Sequence, residues 1–104
     1  MRTEQGKIEG DLRLEDSLCL QGMVTGDTHV VAGALLELHG MCCRDLSLEA
    51  GAEVLLHGTV VGSVVNRGGK LSIYGVVKGD ATTLAGETVV DSNAVIEGNT
   101  INDT

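Results

Sequence analysis

The chain has 104 residues with no proline, tryptophan or phenylalanine and a single tyrosine, Tyr74, so it lacks the bulky rings that fill the irregular core of an ordinary globule of this length. A formal net charge of -8 at pH 7 argues against nucleic acid or an anionic membrane as partner, because both would repel it, and leaves a basic protein as the compatible outside partner. No apolar run has the length of a signal-peptide core or a membrane span, and no shift of composition divides the chain, so one cytoplasmic domain is expected.

In chain order, residues 1–7 read as a short polar tail, residues 8–101 as the folded domain and residues 102–104 as a polar stop. Ile8-Glu9-Gly10-Asp11-Leu12-Arg13-Leu14 fits the second half of an incomplete first coil. From residue 18 to residue 79 one pattern is then written four times, as LCLQGMVTG, LELHGMCCR, VLLHGTVVG and LSIYGVVKG, at spacings of 18, 18 and 17 residues. That period, with apolar residues at every second position inside each copy, predicts an all-β, single-domain, triangular β-solenoid of about six coils of 17–18 residues.

Aligning the copies gives columns that run from coil to coil. Leu18/Leu36/Val54/Leu71, Leu20/Leu38/Leu56/Ile73, Gly22/Gly40/Gly58/Gly75 and Val24/Cys42/Val60/Val77 share one parity and are assigned to the inside. The residues between them, including Gln21, His39, His57 and Tyr74, then point outward. A step of six from Leu12 passes through Leu18, Val24, Val30, Leu36, Cys42, Leu48, Val54 and Val60; after one deletion it resumes at Val65, Leu71, Val77, Thr83, Val89, Val95 and Ile101. Three short strands per coil follow, with glycines at the corners. A coil cannot stand alone, because both of its edges carry unpaired N–H and C=O groups that only a coil above and one below can satisfy.

The corner pairs Gly10-Asp11, Gly26-Asp27, Arg44-Asp45, Gly62-Ser63, Gly79-Asp80 and Gly98-Asn99 keep the same register. Their side chains are expected to bond the backbone just ahead and fix tight turns; one carboxylate per coil is too few for calcium. Asn66-Arg67-Gly68-Gly69 falls where a residue has been dropped and predicts a tighter turn, and the last coil, with 19 residues from Gly79 to Gly98, is looser.

Little in the pattern points to chemistry. His39 and His57 share an outer column and should lie about 4.8 Å apart, but two ligands do not make a metal site, and no metal or other cofactor is expected. Cys19, Cys42 and Cys43 lack metal-ligand spacing, and the adjacent pair faces opposite sides of its strand, so all three read as reduced thiols. Acyltransferases and zinc enzymes built on similar coils need a long inserted loop or three converging histidines. His29, His39 and His57 do not have that spacing, so the protein is read as a non-enzyme. The outer positions are more informative. Met23, Met41, Val61 and Val76 form an apolar strip outside a prism that already has its core, flanked by His39, His57 and Tyr74, and these seven residues are the candidate interaction face.

The alternation in Gly22-Met23-Val24-Thr25-Gly26-Asp27 and Gly75-Val76-Val77-Lys78-Gly79-Asp80 resembles the bactofilins, the polymer-forming cytoskeletal proteins of bacteria, over nearly the whole chain. The resemblance implies a right-handed triangular β-helix of about six coils and a non-enzymatic scaffold whose rods join through their terminal coils without nucleotide. Self-association through coil ends or through the outer apolar face is therefore the first expectation. The alternative is an acidic binding protein, for example an immunity protein that neutralises a basic toxin such as a nuclease.

Overall fold

The computed structural model describes residues 2–102, and no helix occurs among them. The first coil holds β1 (Arg2–Glu4), β2 (Lys7–Ile8) and β3 (Leu12–Leu14), and the second β4 (Ser17–Leu20), β5 (Met23–Val24) and β6 (Thr28–Val30). The third holds β7 (Leu35–Leu38), β8 (Met41–Cys42) and β9 (Leu46–Leu48), and the fourth β10 (Glu53–Leu56) and β11 (Thr59–Val60). Next, β12 (Val64–Ile73) closes the fourth coil and opens the fifth, which continues through β13 (Val76–Val77). In the same way β14 (Ala81–Val90) leads into a sixth coil with β15 (Val95–Ile96) and β16 (Thr100–Asn102). Every pairing is between successive coils and parallel, and the molecule measures 34 × 26 × 22 Å.

The register reproduces the apolar inward columns through the fifth coil, whereas the column Gly22, Gly40, Gly58 and Gly75, also expected inside, is half-buried at a corner. Leu18, Leu36, Val54 and Leu71 are successive partners, as are Val24, Cys42, Val60 and Val77. These side chains are at most 3% exposed and form a single core running along the axis. On the third side the column is Leu14, Val30, Leu48, Asn66 and Thr83.

That last column corrects the sequence reading. The deletion falls at the Asn66–Gly69 corner, as expected, but after Asn66, so the count by six resumes one residue too early: Val65 pairs with Ser47 on the outside and Asn66 is the buried member. A count restricted to apolar residues steps onto Val65 because the true core position carries an amide. Asn66 stands in for the missing residue. Its Oδ1 accepts from the N–H groups of Gly68 (3.1 Å) and Gly69 (2.8 Å), and its Nδ2 donates to the carbonyls of Gly69 and Glu87 and to Thr88 Oγ1. The corner is shortened again one coil on, between Thr83 and Thr88, and two residues are added between Val90 and Ile96. In the last coil the inward parity therefore belongs to Val90 and Ile96, while Val89, Val95 and Ile101 pair with Ser72, Val76 and Thr82 on the outer face.

The corners show why glycine recurs. A Cβ on Gly40 would run into the carbonyl of Gly22 on the preceding coil, and one on Gly58 into that of Gly40, so backbone rather than a core side chain excludes it. At another corner Gly51 has φ +83°, and a Cβ there would meet nothing closer than 3.6 Å, so the left-handed backbone is what selects glycine. The aspartates also differ from expectation. Instead of bonding the chain just ahead, Asp11 accepts from the N–H of Asp27 (2.8 Å), Asp27 from Asp45 (3.1 Å), Asp45 from Ser63 (2.9 Å) and Asp80 from Asn99 (2.8 Å). Ser63 Oγ continues the ladder to Asp80. Corner residues stack at the coil spacing, so the nearest free amide is one coil up rather than two residues on.

The coils also begin earlier and end later than the polar composition of the termini suggests. Arg2–Glu4 pairs with Leu18–Leu20 and Asn102 with Thr83, because strand pairing uses backbone groups that every residue carries.

Candidate functional site

The sheet made of β2, β5, β8, β11, β13 and β15 carries the outer strip. Its register sets Lys7, Met23, Met41, Thr59, Val76 and Val95 side by side. The two methionines and Val76 are half-buried against their neighbours, whereas Val95 is 48% exposed and extends the strip by one coil. Val61, 39% exposed, stands two positions along its own coil from Thr59, beyond the inward Val60. Lys78 is paired with Glu97 at 3.7 Å at one end of this face.

A corner groove separates this strip from a second column. Gly6, Gly22 and Gly40 form its floor, Lys7, Met23 and Met41 one wall, and Gln5, Gln21 and His39 the other. Further up, the second wall becomes an aromatic stack. The His39 and His57 rings lie 4.8 Å apart and 3° from parallel, and the His57 and Tyr74 rings 4.8 Å apart and 8° from parallel. Of the seven residues singled out from the sequence, Met23, Met41 and His39 line this groove, His57 and Tyr74 continue the stack that begins at His39, Val76 continues the strip one coil beyond Thr59, and Val61 stands apart beyond Val60.

Glu37, which the repeat pattern does not single out, lies beside this column, in register with Cys19 and Leu55. Its Oε1 lies 3.4 Å from His39 Nε2, and one donor atom from each of Glu37, His39 and His57 falls within 4.8 Å of the others. The signal that would have found it is Glu37-x-His39 on one outer parity with His57 one repeat later. His29 is elsewhere, on the third side, with Nδ1 3.1 Å from Ser47 Oγ and Nε2 3.4 Å from Glu49.

The cysteines are all free thiols. Cys42 lies in the core with its Sγ 3.3 Å from Thr28 Oγ1, and burial pushes its thiol pKa up, away from the reactive thiolate. Cys19 and Cys43 are half-exposed on outer positions.

The C-terminal end of the rod is the second apolar surface. Leu84, Val89, Val90, Val95 and Ile101 are each 40–48% exposed, and apart from them only Val61 and Tyr74 are exposed large hydrophobics among the described residues. Val90 is the last member of the column Leu20, Leu38, Leu56 and Ile73, each fully buried, and Val90 is exposed because no coil covers it. No helix among the described residues is long and apolar enough to cross a membrane. Compared with protein-family models, with curated proteins and with solved structures, the chain matches none.

Proposed function

We propose that the protein is a non-enzymatic assembly module, resembling the bactofilins, that self-associates through the C-terminal end of its solenoid. The observation that carries this reading is the unfinished core: Val90 and Ile96 end inward columns, and the outward-facing Val89, Val95 and Ile101 of the same last coil add exposed apolar surface at its rim. Strand edges on that end add unpaired backbone groups, which together with apolar side chains make a template for a second chain. The occupant is a second copy turned end for end, C-terminal end to C-terminal end. The opposite end offers Arg2, Glu4 and Lys7 and the ion pairs Arg2–Asp16, Lys7–Glu9 and Arg13–Glu15, a poor match for valine and isoleucine. A contact of like ends closes on a two-fold axis.

Sedimentation velocity and electron microscopy on the purified chain test this reading. A dimer that dissociates on Val90→Lys or Ile101→Lys, with the thermal midpoint retained, is the expected result. Filaments unaffected by these changes would move the contact elsewhere, and a strict monomer at high concentration would overturn self-assembly in favour of an acidic module that binds a basic partner.

A further inference from the structure

We infer that Glu37, His39 and His57 form a surface site for a divalent late transition ion of the zinc class. The site is separate from the coil-end contact and does not rest on it. Two imidazole nitrogens and one carboxylate oxygen are a donor set that suits such ions and leaves a fourth position open to water or to a group from a partner.

The backbone fixes the spacing. His39 and His57 occupy the same corner of consecutive coils, and their N–H groups donate to the carbonyls of Leu20 and Leu38 at 2.8 Å in each case. Glu37 comes from β7, two residues before His39, and already touches its ring nitrogen. Ligands held about 2.1 Å from a tetrahedral metal are about 3.4 Å from one another. The three donor atoms lie within 4.8 Å of each other, and the side chains are exposed or half-buried, so rotation about their own torsions closes the difference without moving the coils.

The imidazoles must give up their parallel stack, because a metal lies in the plane of each ring that binds it and two parallel rings 4.8 Å apart share no such plane. That change reaches Tyr74, which stacks on the other face of His57 and is the only tyrosine in a chain without tryptophan. The net charge of -8 favours a cation over the surface as a whole. Competing donors are close: Cys19 is in register with Glu37 on the preceding coil, and Cys43 lies on the adjoining face.

The test is a titration of the reduced full chain with ZnCl2, followed by calorimetry and by Tyr74 fluorescence. Binding of one Zn2+ per chain at submillimolar metal with a change in tyrosine emission is expected. Affinity should fall at least about tenfold in His39→Ala and in His57→Ala, fall less in Glu37→Gln, and stay unchanged in His29→Ala and Cys19→Ser. In the unaltered protein, imidazole nitrogen spectra should show His39 and His57 shifting while His29 does not, a readout independent of how any variant folds. Co2+ should give a spectrum without thiolate charge-transfer bands. Absence of binding at millimolar Zn2+, binding that survives loss of both imidazoles, or thiolate bands that vanish in Cys19→Ser or Cys43→Ser would each overturn the assignment.

Discussion

At the N-terminal end of the rod, the columns that contain Leu18 and Leu20 stop at Arg2 and Glu4; at the C-terminal end the same columns stop at Thr88 and Val90. Both ends present parallel strand edges, so the backbone alone does not distinguish them. The side chains do. Charged residues in register with a core column hold water over the first coil, whereas Val90 leaves a column open at 43% exposure. A stack of repeats needs polar terminal coils to stay unassociated; the Val24 column ends in a half-buried isoleucine at both ends, Ile8 and Ile96, so the Leu20 column, closed by Glu4 and left open at Val90, is where the two ends differ most. What the contrast teaches is that core parity and end chemistry are separate variables: the same inward position is core in one coil and contact surface in another.

The largest effect should come from placing the same charge at two heights of one column. Leu38→Asp puts a carboxylate where the side chain is fully buried, with a loss of more than about 4 kcal/mol, enough to unfold the middle coils. Val90→Asp, in the same column but at its open end, should shift stability by no more than about 1 kcal/mol while reducing association. Thermal melts monitored by circular dichroism, with sedimentation on the same samples, compare the two. Equal destabilisation at both positions would mean that the last coil is covered as fully as the others.

Asn66→Ala should come next, at about 3 kcal/mol, because it strands the buried N–H of Gly69 and the half-buried N–H of Gly68 without acceptors. Since the Asn66 amide also reaches Glu87 and Thr88, the loss should appear first in the C-terminal coil. Amide exchange should accelerate across residues 80–102 before it does across residues 12–60; uniform acceleration would show that the rod opens as one unit.

The N-terminal end can be made to imitate the other. Replacing Arg2 and Glu4 together by valine removes one exposed ion pair, Arg2–Asp16, whose loss should change stability by no more than about 1 kcal/mol. The new apolar end should turn dimers into longer assemblies visible by light scattering, and an unchanged assembly size would show that charge is not what keeps this end free.

The solenoid, its six coils and, apart from Val65 and Asn66, the inside and outside of the second to fifth coils were legible because the repeat is regular there and strand parity converts directly into burial. Legibility failed where spacing and polarity changed together. Asn66 was missed because a buried amide satisfied by its own corner looks, in sequence, like a loop residue. Val89, Val95 and Ile101 were placed inside because a count by six cannot register a shortened corner followed by two added residues. Glu37 was missed because it lies outside the His39/His57 column, two residues before His39 on the same coil, and only the outward parity the two share brings them together. The apolar outer strip was legible from parity alone; the open end was not, since it depends on where columns stop.

The smallest effect is expected on the side of the rod, and it sharpens the contrast between the ends by removing the main competitor for self-association. Met41 and Val61 point outward from neighbouring coils, with Met41 half-buried and Val61 39% exposed. Changing them to Asp and Lys takes nothing from the axial core, so each should alter stability by about 0.5 kcal/mol or less. If like ends form the dimer, these variants should sediment as the unaltered chain does. If the strip is the contact, they should dissociate, since a charge buried without a partner at an apolar interface costs several kcal/mol. Melting as early as Leu38→Asp would instead mean that this strip lies within the core and the strand parity is off by one residue.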